Sequence, residues 1–334
     1  MSIARLLAKR IALGVLTIWA VLSGIFLLLV GTRNWHLGQQ LAGIARSATT
    51  DQEDVETAEQ AYLAERGLDR PMDELYVDWM GNMFTLQWGE SFEHGREALS
   101  MVLSGTARTA AYVLPAIVLA TVLGLAIGLV TGMHSSAHGE GATRSWTYLL
   151  MGVPNFWLGA MLLMSSATAA FIFRPVFLTG QGQGTPSIAV ADWPLLYEHV
   201  LPILLVATTL MAAIVSYSRA FSMQYYADDL TKLVRAKGGG QLAVARHVVR
   251  NAAVPLVSLL FAETLALIAL SVFVVEAVFA IDGIGSLFYN AVWTQDLPIL
   301  MGGAMVFVSL GVAGNILQDL LYTALDPRVD TDSL

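Results

Sequence analysis

Several stretches of about 20 or more residues in this chain carry no charged side chain, and that limits the fold more than any other feature. Residues 11–30, 109–133, 145–173, 200–218 and 297–317 are apolar and charge-free. Residues 252–281 are equally long but carry Glu263 and Glu276. A single soluble core in 334 residues has no place for 56% hydrophobic and only 13% charged residues, at a mean hydropathy of +0.62. A lipid-exposed backbone must satisfy its own hydrogen bonds, and about 20 helical residues cross the hydrocarbon layer. The expected fold class is therefore all-α: a polytopic membrane protein with about six transmembrane helices.

Residues 11–30 are flanked by Arg5, Lys9 and Arg10 on one side and Arg33 on the other. The run is longer than a signal-peptide core and no small-x-small cleavage site follows it, so it reads as an uncleaved anchor. With the N-terminus inside, Arg144, the cluster Lys232, Arg235, Lys237, Arg246 and Arg250, and Arg328 are all cytoplasmic, as the positive-inside rule requires. The short outer loops then hold little that is basic beyond Arg174. Both termini are expected in the cytoplasm, and the segment from about residue 34 to 107 outside.

That outer segment should be partly helical. Residues 50–66 read as an acidic helix, Gly67-Leu68-Asp69-Arg70-Pro71 breaks it, and residues 72–83 form a second one. Tyr76, Trp79, Met80, Phe84 and Trp88 give it apolar surface to bury, so it reads as a small ordered domain. It serves either as a cap over a pore mouth or as a docking surface. The division expected is 1–106 for the first helix and outer domain, and 107–334 for a five-helix core.

Composition excludes several functions. The chain has no cysteine, hence no disulfide, thiolate metal site or cysteine nucleophile. A net charge of -8 with scattered basic residues argues against nucleic acid. Most of the acidic excess lies in the outer loop, and this, with Arg outnumbering Lys, suggests a halophilic prokaryotic source. No glycine-rich run ends in Gly-Lys-Ser or Gly-Lys-Thr, no His-Glu-x-x-His occurs, and no Gly-x-Ser-x-Gly elbow is present. The chain is expected to be neither an ATPase nor a protease.

Residues 220–251, between the fourth and fifth spans, are polar and should form two short helices around Gly238-Gly239-Gly240. Asp228 and Asp229 are the N-cap candidates of the first helix, and Arg235 and Lys237 lie in its last turn, where they complement the dipole. The run Asp229 to Gly238, with Lys232, Arg235, Ala236 and Lys237, is followed by Arg246-His247, Arg250-Asn251 and Pro255. It resembles the cytoplasmic loop of binding-protein-dependent ABC permeases, most closely the dipeptide/oligopeptide (peptide/nickel) subfamily. Gly67-Leu68-Asp69-Arg70-Pro71, Gly89-Glu90-Ser91, Gly152-Val153-Pro154, His199 with Pro202, Glu276-Ala277-Val278-Phe279, Gly283-Ile284-Gly285, Asp296-Leu297-Pro298 and Asp326-Pro327-Arg328 follow the subfamily in order and spacing.

The resemblance implies a type I importer permease. It would pair with a second homologous permease around a substrate path, with two ABC ATPases below and an extracytoplasmic substrate-binding protein above. ATP and Mg would be bound by the ATPases, and this chain would hold no cofactor or metal. The loop would be a coupling helix gripped by an ATPase. Many permeases carry Glu-Ala-Ala before the glycine where this chain has Lys232-Leu233-Val234, so charge partners cannot be transferred from other subfamilies. The substrate implied is a di- or oligopeptide, with nickel chelates or other small solutes as the alternative. A secondary carrier predicts an internal repeat, and a membrane assembly factor predicts no flux.

Two acidic residues sit inside the fifth span. Glu263, about 12 Å along the helix axis from its cytoplasmic start, either lines the translocation path or pairs at the permease seam. Glu276, close to the glycine turn, either gates or accepts N–H hydrogen bonds from glycine-rich backbone. Gly124, Gly128 and Gly132, four residues apart, favour close helix packing.

Overall fold

The computed structural model describes residues 3–31, 37–38, 52–133, 141, 145, 157–161 and 200–325. Its helices are α1 (Ile3–Gly31), α2 (Gln52–Glu65), α3 (Met72–Phe84), α4 (Ala98–Met133), α5 (Leu201–Ala227), α6 (Asp229–Ala236), α7 (Gln241–Phe279), α8 (Ile284–Thr294) and α9 (Leu297–Leu325). Among the described residues four helices are long and apolar enough to cross a membrane: Leu7–Val30 of α1, α4, α5 and Leu297–Tyr322 of α9. The fifth expected span is carried on α7. Apart from Ser145 and residues 157–161, the third lies outside the described residues, as do Arg144, Pro154, His199 and Arg328.

The chain forms two compact units. One comprises Met1–Ala107 with Gly283–Ala313, the other Arg108–Asp282 with Gly314–Leu334. In the first unit α1 packs on α3 through Leu22 and Phe26, which meet Leu75, Met80 and Met83 in a core that also takes Val102, Ile299 and Met301. Ser23 Oγ lies 2.7 Å from Tyr76 Oη, and the Tyr76 ring stands edge-on to Phe26 at 5.6 Å. Trp88 donates its indole N–H to the Met83 carbonyl at 3.1 Å and packs against Gly302, where a Cβ would stand 2.5 Å from Trp88 Cε3. Both outer helices thus form where the pattern places them. Phe84, by contrast, stays 41% exposed at the end of α3.

Ile11, Val15, Leu16, Leu27 and Leu28 of α1 are exposed apolar residues, as are Leu114, Val118, Val122 and Val130 of α4. The charge-free runs of these two helices, residues 11–30 and 109–133, bury one stripe and expose another apolar one, which suits a hydrocarbon solvent.

In the second unit α5 packs along α7, and Tyr112, Ala116 and Ala120 of α4 join Val206, Leu210, Ile214, Val272 and Val275 in a continuous core. The glycines of α4 face α5. A Cβ on Gly124 would fall 2.8 Å from Ile214 Cγ2, one on Gly132 2.6 Å from Ser222 Cβ, and one on Gly128 would collide with Ser218 Oγ. Ser218 also donates its hydroxyl to the Gly124 carbonyl at 3.2 Å, and Ser222 to that of Leu129 at 3.2 Å. Small residues in the spans therefore serve packing, with hydroxyls holding the two backbones in register.

One expectation is corrected. Residues 220–251 do not form two short helices around the glycines. α5 runs on past Ser218 to Ala227, only α6 is short, and Gln241 opens a 39-residue helix that continues without a break through Asn251 into the fifth span. At 1.5 Å per residue α7 is about 58 Å long, roughly twice the hydrocarbon thickness, so its polar first turns extend beyond the membrane. Val244 and Val248 are buried while Arg246 and Arg250 are exposed, so this part of α7 is already amphipathic and has a face to pack.

Candidate functional site

α6 is set between α5 and α7 by a small number of defined bonds. Asp228, in extended conformation (φ −65°, ψ 151°), ends α5 and caps α6, its carboxylate accepting the Asp229 N–H at 2.7 Å. The Asp228 carbonyl accepts the N–H groups of Thr231 and Lys232, both at 3.1 Å. Of the two acidic cap candidates Asp228 is the cap, whereas Asp229 is the first helical residue. Thr231 is wholly buried and donates its hydroxyl to the Tyr225 carbonyl at 2.6 Å. The last carbonyls of a helix lack the usual i+4 donor; the Tyr225 carbonyl accepts the Asp228 N–H at 3.4 Å and this shorter hydroxyl bond, which closes α5 and anchors α6 to it. Nothing in the sequence pattern singled out Thr231.

The far end of α6 explains the glycines. Gly239 N–H bonds to the Val234 carbonyl at 3.0 Å and Gly238 N–H to that of Arg235 at 2.9 Å, the two bonds of a Schellman motif. Gly238 takes the left-handed backbone (φ +81°), where a side chain is strained. A Cβ on Gly239 would stand 2.8 Å from both Val234 Cγ1 and the Val234 carbonyl oxygen. Gly240 has neither constraint: its backbone is extended and a Cβ there meets nothing within 4 Å.

What α6 shows to solvent is both basic and apolar. Lys232, Arg235, Ala236, Lys237 and Gly238 are exposed, and so are Leu230 (54%), Leu233 (51%) and, across the break, Leu242 (85%). The Arg235 guanidinium lies over the Tyr226 ring at 3.9 Å, beside a cavity of about 250 Å³ lined by Met133, Gly239, Gly240, Gln241 and Val244. Lys232 Nζ reaches Asp229 at 2.7 Å. Hydrogen bonding to Lys232, and then its charge, holds the Asp229 carboxyl below the ordinary range, and the same two causes raise Lys232. Both groups are open to water, so the pair contributes little to stability. Asn251 bonds the His247 carbonyl at 2.8 Å on the exposed face of α7.

Glu276, at the other end of α7, is completely buried. Its carboxylate accepts hydroxyl hydrogen bonds from Thr109 at 2.5 Å and Tyr112 at 3.1 Å, both on α4. Arg108 adds a bond to the Asp282 carbonyl at 2.7 Å. The carboxylate therefore clasps two helices, a pairing over 167 residues that spacing alone does not predict. Glu263 is also carried on α7, but its side chain lies outside the described residues.

Over residues 120–331 the sequence matches the family described as the binding-protein-dependent transport system inner membrane component. The chain belongs to this family. It is 26% identical over 273 residues to the oligopeptide transport system permease protein AppB of Bacillus subtilis, covering 81% of this chain and 84% of that one. It is 24% identical over 326 residues to the dipeptide transport system permease protein DppB of Lactococcus lactis, covering 96% and 97%. A putative peptide permease protein of Brucella ovis is 29% identical over 271 residues, covering 80% and 83%. The chain is thus a multi-pass inner-membrane permease of an ABC importer, a class that works with ATPase and binding-protein partners.

Two motifs that carried the resemblance meet in this permease. Ser91 donates its hydroxyl to Asp296 at 2.5 Å, joining positions 205 residues apart. Asp296 caps α9 by accepting the Ile299 N–H at 3.3 Å, with Leu297 and Pro298 opening the helix. Ser91 in turn accepts the His94 N–H at 3.0 Å.

Proposed function

We propose that this permease imports di- or oligopeptides, handed over by an extracytoplasmic binding protein, in a complex with a second homologous permease and two ATPases. ATP and Mg are bound by those ATPases, both termini of this chain are cytoplasmic, and residues 107–334 act as the translocating core. The names of its relatives support the substrate class. The observation that carries the mechanism is α6: an eight-residue helix between two long ones, anchored by Thr231 at one end and released by a Schellman break at the other.

In this reading α6 is the coupling helix. Leu230, Leu233 and Leu242 enter the ATPase surface, and Lys232, Arg235 and Lys237 meet its acidic groups. Arg246, His247, Arg250 and Asn251 on the first turns of α7 lie on the same cytoplasmic side. Closure of the ATPases displaces α6, which pulls α5 through the Thr231 anchor and tilts α7 across the glycines. Glu276 holds α4 against α7 at the opposite end of the same lever, the end where a gate operates.

The test is reconstitution in proteoliposomes with its cognate ATPases and binding protein, measuring peptide uptake and ATP hydrolysis together. Replacing Leu230 and Leu233 with Glu should leave the permease folded yet lower ATP-driven uptake by more than about tenfold, two desolvated apolar anchors being removed at once. Unchanged uptake by this variant would refute the coupling role.

A further inference from the structure

The first unit holds a cavity that neither the coupling scheme nor the gate uses. It measures about 340 Å³; Glu93, His94 and Asp296 line it together with Leu287, Ala291, Trp293 and Ile299, and Asn290 and Thr294 add polar side chains. That volume admits one or two residues of a ligand, not a whole oligopeptide.

Its chemistry is set by Asp296, which is 1% exposed. The carboxylate accepts the Ser91 hydroxyl at 2.5 Å, the Glu93 N–H at 3.3 Å and the Ile299 N–H at 3.3 Å. All three donors are neutral. A carboxylate offers about four acceptor positions, so one remains for a further donor. Among the described residues no basic side chain bonds to Asp296, and neither Arg66 nor Arg96 lines the cavity. Arg66 lies instead over the rings of Tyr62 and Phe92, at 3.7 and 5.4 Å. A buried anion lacking a cationic partner gains when a cation arrives from outside.

The remaining lining suits one kind of cation. Glu93 adds a second, solvent-exposed carboxylate. Trp293, 52% exposed and edge-on to Tyr289 at 6.1 Å, offers an aromatic surface to a positive group. Leu287, Ala291 and Ile299 supply apolar contact for a short side chain. A bare metal ion does not fit, since the described residues contain no group of three His, Asp or Glu spaced to hold one.

The geometry points to a binding site for a primary ammonium on a short organic stem, the free amino end of a transported peptide. Asp296 and Glu93 receive its N–H groups, Trp293 covers the charge, and the apolar lining takes the first side chain. The assignment of the ammonium to a peptide rests on the import reading above; the ammonium site itself does not.

The full-length permease in lipid nanodiscs is titrated calorimetrically with trialanine, N-acetyl-trialanine and n-butylammonium. Trialanine and n-butylammonium should compete for one site, and acetylation should weaken binding by about tenfold or more. Glu93→Gln and Trp293→Leu, both at exposed positions, should each weaken it about threefold to fivefold. Asp296→Asn, which keeps the cap on Ile299, should abolish it. Equal binding of free and acetylated trialanine, or wild-type affinity in all three variants, overturns the proposal. Peptide uptake by the complete transporter without ammonium-dependent binding here also overturns it and leaves the import reading standing. Binding of n-butylammonium with no peptide uptake supports the ammonium site and overturns peptide import.

Discussion

Replacing the three glycines after α6 one at a time separates their roles. Gly238→Ala places a Cβ at φ +81°, which costs about 1–2 kcal/mol for a residue in the left-handed region. Gly239→Ala keeps an ordinary backbone but sets a Cβ 2.8 Å from the Val234 carbonyl oxygen, an acceptor within the same motif that cannot rotate away. Overpacking of this kind costs about 1–3 kcal/mol. Gly240→Ala meets no atom within 4 Å and should be neutral or, by restricting the unfolded chain, stabilising by about 0.4–1 kcal/mol. Amide hydrogen exchange at Lys237, Gly238 and position 239 is the assay, because those N–H groups close the end of α6. A local loss of about 1–2 kcal/mol speeds their exchange about 5- to 30-fold. In proteoliposomes the first two variants should hydrolyse more ATP per peptide imported, and the third should match the wild type. If Gly240→Ala perturbs exchange as much as Gly238→Ala, or Gly239→Ala has no effect, the Schellman account of the break is wrong.

Thr231→Val removes the hydroxyl that bonds to Tyr225 while keeping the shape, and should lower the stability of the α5–α6 junction by about 1 kcal/mol; exchange at the Thr231 and Lys232 amides should rise about fivefold, and an unchanged rate would show that the anchor is inert. Tyr112→Phe takes one of the hydroxyl donors from buried Glu276 and should cost about 1.5–3 kcal/mol, seen as a lower unfolding temperature in nanodiscs; no shift would mean the clasp does not hold α4 to α7. For the Asp229–Lys232 pair the lowered carboxyl gives stability that is present above the ordinary aspartate range and lost as pH falls through the lowered value, while the raised amine gives stability present below the ordinary lysine range and lost as pH rises through the raised one. Between about pH 5 and 9 the pair is therefore constant, and any pH dependence of coupling in that window should survive Asp229→Asn; its disappearance in that variant would contradict the assignment.

Much of this permease was legible in its sequence because the deciding physics is local. A charge-free run of about 20 residues has few folds open to it besides a spanning helix, and α1, α4, α5 and α9 lie where those runs predict. Asp228 was readable as a cap, and the glycine triplet as the end of α6, since both act within one turn. The join of α7 to the fifth span was not. A polar loop segment and an apolar span can be one helix when Val244 and Val248 find a face to bury against, and only packing supplies that face.

The tertiary structure alone decided the rest. Ser91 and Asp296 were visible as separate motifs, but neither predicts the other across 205 residues, because their bond depends on how α8 and α9 turn beside the outer segment. Glu276 stood out as a carboxylate inside a span, yet the hydroxyls that satisfy it come from Thr109 and Tyr112, 167 and 164 residues away. Which of three identical glycines bears the strain, which faces a carbonyl and which is unconstrained was likewise set by backbone angles and neighbours, not by residue type. Sequence determines what each segment must hide from water or from lipid; the partner that hides it is chosen only when distant segments pack.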